Sequence, residues 1–141
     1  MADLVDTNVL VYRCDGRFPE KQRRATALLR QGIEDGSLRV AHQAVVEFMA
    51  AVTRSVAGPP ILSPEDARRE AEEILIDHTV LYPSEEILRI ALWGTAAYGL
   101  SWFDAHMWSY AEFYGLPVIW TEDFEHGRQY GTVRAMDPFL S

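Results

Sequence analysis

Residues 2–12 read Ala2-Asp3-Leu4-Val5-Asp6-Thr7-Asn8-Val9-Leu10-Val11-Tyr12. Two apolar runs flank a short polar step. The first run, residues 2–5, is too short for a helix and reads as a buried strand that ends at Asp6. The second, residues 8–12, opens a helix with Thr7 or Asn8 as its cap. The same alternation continues downstream. Helices are predicted at residues 20–35, closing near Gly36, and at 43–56, 63–76, 84–98 and 102–114. Pro64 suits a first helical position, and Ser84 caps a helix whose first turn holds Glu85 and Glu86. Short strands are predicted at 38–40, 79–82 and 117–120, with a weaker one at 132–135. Gly58-Pro59-Pro60 is a loop. Short strands that are apolar on both faces, alternating with helices, indicate an α/β fold with a mostly parallel central sheet flanked by helices. Ligands of such sheets sit outside the carboxyl ends of the strands, where strand order reverses.

Length and composition set outer bounds. The chain has 141 residues, 48% hydrophobic and 24% charged. These values describe one globular domain, residues 1–141, and exclude a low-complexity chain. Cys14 is the single cysteine, so neither a disulfide scaffold nor a cysteine zinc site is available. No leader and no run approaching the ~20 apolar residues of a membrane helix is visible, and a soluble, cytoplasmic protein without a membrane partner is the expectation. The net charge is −8, but residues 61–141 hold 14 of the acids and 5 of the cations. The basic excess is local: Arg13, Arg17, Lys21, Arg23, Arg24 and Arg30 face only Asp15 and Glu20. A nucleic-acid role would therefore rest on this patch, with Arg13, Arg17, Arg23 and Arg24 the candidate RNA contacts. A solvated helix face is the plain alternative.

Four carboxylates stand in apolar settings. Asp6 ends the first strand, where it serves either as a helix cap or as a site residue. Glu47 is the only charge in residues 44–52, and Val46, Ala50 and Ala51 flank it, so its helix is apolar nearly all round. Asp104 takes the first place on the stripe Asp104, Met107, Trp108, Ala111, unless it caps the helix. Asp123 lies just past the strand at 117–120 and reads equally as a loop acid. Several carboxylates in one crevice repel one another, and a divalent cation removes the conflict. Oxygen ligands favour Mg²⁺ or Mn²⁺, which grips phosphate oxygens and activates water. The four histidines show no ligand spacing, and no phosphate-cradling glycine loop is present.

At these residues the sequence resembles the PIN-domain family, in particular its VapC-type toxin ribonucleases. The matching elements are Val5-Asp6-Thr7-Asn8-Val9-Leu10, Val45-Val46-Glu47-Phe48, Phe103-Asp104-Ala105-His106 followed by Ala111, and Trp120-Thr121-Glu122-Asp123-Phe124. They occur in order and span essentially the whole chain. The resemblance implies a three-layer α/β/α domain and an endoribonuclease dependent on Mg²⁺ or Mn²⁺. It implies that Asp6, Glu47, Asp104 and Asp123 form the catalytic and metal-binding site, supported by Thr7, Asn8 and Thr121. It further implies a homodimer and a cognate antitoxin in a toxin–antitoxin hetero-oligomer. His106, Met107 and Trp108 are bulkier than the family's usual residues there. The acidic stretch 65–86 reads as a face for a basic partner segment. Two alternatives remain open. One is a catalytically silent antitoxin-binding module. The other is a metal-dependent nuclease or phosphatase acting on a different phosphate, although a haloacid-dehalogenase-like phosphatase needs Asp-x-Asp where this chain has Asp6-Thr7-Asn8.

Overall fold

The computed structural model describes residues 1–56 and 58–140. Its elements run β1 (Asp3–Val5), α1 (Thr7–Cys14), α2 (Pro19–Asp35), β2 (Leu38–Ala41), α3 (His42–Val52) and α4 (Pro64–Asp77). They continue with β3 (Thr79–Leu81), α5 (Glu85–Tyr98), α6 (Trp102–Tyr114), β4 (Val118–Trp120), β5 (Gln129–Tyr130) and β6 (Val133–Met136). The sheet order is β3-β2-β1-β4-β6-β5, parallel throughout except for β5. The chain steps from β1 to β2 to β3 in one direction, then crosses back to β4 on the far side of β1. Right-handed crossovers then place α1–α4 on one face and α5–α6 on the other. Packing agrees: α1 lies on α2 and α3, α3 lies on α4, and α6 lies on α5, β1, β4 and β6. The expected three-layer α/β/α architecture is present.

Local chemistry explains most boundaries. Pro19 and Pro64 occupy first-turn positions of α2 and α4, where a missing N–H costs nothing. Ser63, Ser84 and Ser101 each accept a backbone N–H as caps of α4, α5 and α6. Gly36 closes α2 with φ 68°, a conformation that favours glycine. The core fills the space on both sides of β1: Leu4, Val5, Val40 and Ile119 are fully buried, as are Phe48 on α3 and Trp108 on α6. Trp108 Nε1–H donates to the Tyr130 carbonyl at 3.0 Å, which satisfies its buried polar end.

Several boundaries differ from expectation. The cap of α1 is Asp6, which accepts from Thr7 N–H, and neither Thr7 nor Asn8 fills that place. The helix also runs on to Cys14. Helix α3 stops at Val52 and does not continue to residue 56. There the Thr53 hydroxyl donates back to the Met49 carbonyl at 2.6 Å, and Leu62 N–H takes the Val52 carbonyl at 2.9 Å. The returning loop thus satisfies the helix end. Strand β5 is only two residues long and pairs antiparallel with β6, too short for any periodicity to reveal. The helix face beside Glu47 is more open than its composition implies, because Val46 is 58% exposed. Among the described residues, no helix is long and apolar enough to cross a membrane.

Candidate active site

Strands β1 and β4 are neighbours in the sheet but belong to opposite halves of the crossover pattern, so strand order reverses between them. Their register pairs Val5 with Trp120, and both strands end in step. Asp6 therefore faces Thr121 directly, and its own N–H donates to the Trp120 carbonyl at 3.0 Å. The sheet opens a crevice at this place.

Asp6 is buried and heavily bonded. Its Oδ1 accepts Thr7 N–H at 2.7 Å, and its Oδ2 accepts the Thr121 hydroxyl at 2.7 Å and the Asn8 amide at 3.4 Å. The Thr121 hydroxyl also accepts Asp123 N–H at 3.0 Å and Asn8 Nδ2–H at 3.3 Å. Asn8 Nδ2–H reaches the Asp123 carboxylate at 3.1 Å. One amide nitrogen thus bridges two acids from opposite ends of the chain. From the other side, Thr7 donates its hydroxyl to Glu47 Oε1 at 2.6 Å, and Gln43 donates to Glu47 Oε2 at 3.0 Å. Asp104 completes the arrangement from α6. Ser101 is the cap of that helix and accepts Asp104 N–H at 3.2 Å, so Asp104 is not itself the cap, and its carboxyl lies close enough to Asp123 and Glu47 to be raised by both.

The electrostatics are unbalanced. Among the described residues, no lysine or arginine pairs with Asp6, Glu47, Asp104 or Asp123. Burial, reinforced by Asp123 and Asp104, pushes the Asp6 carboxyl up to about 7, against the hydrogen bonds from Thr121 and Thr7. Asp104 is also raised, by burial against a hydrogen bond from Ser101, with Asp123 and Glu47 adding to the rise. The adjacent Glu122 behaves otherwise: Lys21 and Tyr12 each donate to it at 2.8 Å. Two neighbouring loop acids thus separate into one neutralised and one left beside other acids.

Sequence reasoning missed Gln43. Its amide spans Glu47 and the Phe103 carbonyl, at 3.0 Å each, and so ties α3 to the residue before Asp104. It sits one helical turn before Glu47, which is the signal that could have found it. The four candidate arginines are dispersed. Arg13 pairs with Glu70 on α4, and both Arg23 and Arg24 pair with Glu20. Arg17 pairs with Asp15 and is the one of the four that lines the groove holding Asn8 and Asp123.

The donor set suits a hard divalent cation. Among the described residues, no three His, Cys, Asp or Glu side chains are spaced to hold an ion directly. Mg²⁺ commonly takes only one or two carboxylates and keeps its remaining waters, so this spacing is no obstacle. Two observations favour the fit. Among the described residues, the carboxylate oxygens gathered in the crevice lack a counter-charge, and the buried Asn8 Oδ1 has no hydrogen-bond partner.

A family model for the PIN domain matches residues 4–131. No curated protein matches the sequence. Solved structures resemble the fold over nearly its whole length. A toxin–antitoxin complex from Klebsiella pneumoniae is 18% identical with TM-score 0.68, covering 97% of this chain and 98% of that one. A DNA-bound VapBC from Salmonella typhimurium is 16% identical with TM-score 0.70, covering 98% and 99%. A sarcin-ricin-loop-cleaving VapC toxin from Mycobacterium tuberculosis is 13% identical with TM-score 0.65, covering 86% and 90%. At such identities the likeness is one of fold.

Proposed function

The chain belongs to the PIN-domain family, and from that premise we propose that it is a divalent-metal-dependent endoribonuclease, the toxin of a toxin–antitoxin pair. The observation that carries the reading is the convergence of Asp6, Glu47, Asp104 and Asp123, without a paired cation, where strand order reverses. Mg²⁺ or Mn²⁺ is the ion this oxygen set suits; Asp6 and Asp104 would hold it, with Asp123 acting through a bound water. When bound, it supplies charge stabilisation at the phosphate and lowers the pKa of an attacking water.

The chain's own residues do the rest. Thr121 and Thr7 N–H fix both oxygens of Asp6, while Asn8 sets the separation of Asp6 and Asp123. Thr7 and Gln43 hold Glu47, which supports its role as general base. Its carboxylate would take a proton from the water whose oxygen forms the new bond to phosphorus, as the bond from phosphorus to the leaving ribose oxygen breaks and that oxygen takes a proton from solvent. Arg17, which lines the groove opening onto the crevice, is the arginine that RNA entering there would meet, and Arg13, Arg23 and Arg24 would contribute only longer-range attraction.

An antitoxin partner and a toxin homodimer belong to the same reading. The solved toxin–antitoxin complexes of this fold support the first. Exposed Leu88, Leu92 and Trp93 on α5 and Phe113 on α6 offer apolar surface for partners to cover.

The deciding experiment incubates the protein with total RNA in Mn²⁺, in Mg²⁺ and in EDTA, and maps the ends produced. Site-specific cleavage that needs the metal and vanishes in Asp104→Asn is expected. Failure to cut any RNA in either metal would leave only antitoxin binding, and equal cleavage in EDTA would remove the metal from the mechanism.

A further inference from the structure

A groove of about 370 Å³ leads away from the acids along α1, lined by Thr7, Asn8 and Asp123 at one end and by Tyr12, Arg17 and Phe18 at the other. This volume falls near the low end of the roughly 300–1,000 Å³ typical of small-ligand sites. Its floor is apolar, with Val11, Ala51 and Ile61. Its charges cancel in pairs away from the acid end. Arg17 grips Asp15 through two parallel hydrogen bonds of 2.9 Å, and Lys21 neutralises Glu122. Asp123 is the groove acid without a paired cation among the described residues.

Phe18 is 47% exposed, although aromatic rings are usually covered. It is held edge-on to Tyr12 at 5.7 Å, and the Arg17 guanidinium lies 5.8 Å from its ring centre. Asp15 is buried and grips the guanidinium of Arg17, whose side chain is otherwise exposed. The result is an exposed aromatic surface beside a planar cation whose charge is already compensated. Tyr12 and Glu122, bonded to each other and to Lys21, stand close by as a polar edge. Such a surface suits a flat, neutral group with polar edges. It does not suit a second phosphate, which would need uncompensated positive charge.

We infer that this groove receives one unstacked base of single-stranded RNA next to the phosphodiester that is cut, with Phe18 as the stacking platform and Arg17 beside it. The inference rests on the endoribonuclease reading for its choice of ligand. A protein segment is the competing occupant. The flat aromatic and guanidinium surfaces, with the opening onto the acids, favour the base.

The test uses octauridylates carrying one 2-aminopurine, moved through each position in turn. Binding is followed by fluorescence in the Asp104→Asn background, so that the RNA stays intact. At one position the fluorescence is expected to be quenched on binding. Phe18→Leu, which keeps apolar bulk but loses the aromatic face, should abolish that quench and weaken affinity about ten-fold, within the usual worth of one base stack. Phe18→Trp should restore both. Identical quench profiles and affinities with and without the Phe18→Leu change would overturn the inference and return the groove to a protein partner. Metal-dependent cleavage with no role for Phe18 would defeat the groove alone. A Phe18-dependent quench in a protein that never cuts RNA would defeat the nuclease reading alone.

Discussion

Asp6→Asn should make the metal-free protein more stable at pH 8 while removing its activity. Asp6 is 4% exposed, and its carboxyl is displaced from 3.8 to about 7. At 1.36 kcal/mol per pH unit, this displacement corresponds to about 4 kcal/mol between the two protonation states. The folded protein keeps a proton that the unfolded chain releases above its ordinary carboxyl pKa. Stability from this group is therefore complete below about pH 4 and is lost as pH rises through about 7. Asparagine carries no such charge and caps a helix as well as aspartate, so α1 keeps its start. Its amide cannot accept the Thr121 hydroxyl or the Asn8 amide as Oδ2 does, a loss of about 1–2 kcal/mol. The net gain at pH 8 is about 2–3 kcal/mol, with the sign reversed near pH 4. Urea midpoints of both proteins in EDTA from pH 4 to pH 8 measure this difference directly, because pH effects at distant groups cancel between them. Adding Mn²⁺ should stabilise the wild type and leave the variant nearly unchanged. A difference that does not change with pH, or a less stable Asp6→Asn protein at pH 8, would refute the account of Asp6 as a buried and repelled carboxylate.

Three further outcomes are expected. Gln43→Leu keeps volume but removes the amide that ties Glu47 to the Phe103 carbonyl, and should cut the cleavage rate roughly ten- to a hundred-fold in an Mn²⁺ titration with the fold retained. Gly94→Ala would bring a Cβ within 2.5 Å of the Trp108 ring and should lower stability by about 1–3 kcal/mol, read from the urea midpoint and the near-ultraviolet tryptophan signal. Arg17→Ala should weaken RNA affinity several-fold with the salt slope nearly unchanged, because Asp15 already compensates the guanidinium, whereas Arg13→Ala, paired with Glu70 outside the groove, should leave the affinity as it is. Equal affinities for the two variants would remove Arg17 from the RNA path.

The order and kind of the long elements could be read from the chain, because their causes lie within a turn or two of each boundary. Pro64 and Ser63 start α4, Gly36 ends α2, and the stripe Met107, Trp108, Ala111 turns α6 toward the sheet. The acids Asp6, Glu47 and Asp104 were legible for a related reason: a carboxylate in an apolar run is costly and calls for an explanation. Only tertiary structure decided how these acids are used. Asn8 meets Asp123 across 115 residues of chain, and Thr7 meets Glu47 across 40, at distances set by strand order and register. The same applies to Gln43, to the pairing of each arginine, and to the ring of Phe18 beside the crevice. Local sequence governs backbone torsions and burial patterns over a few residues. Contacts between side chains far apart in sequence arise only when the packed sheet brings their strands together.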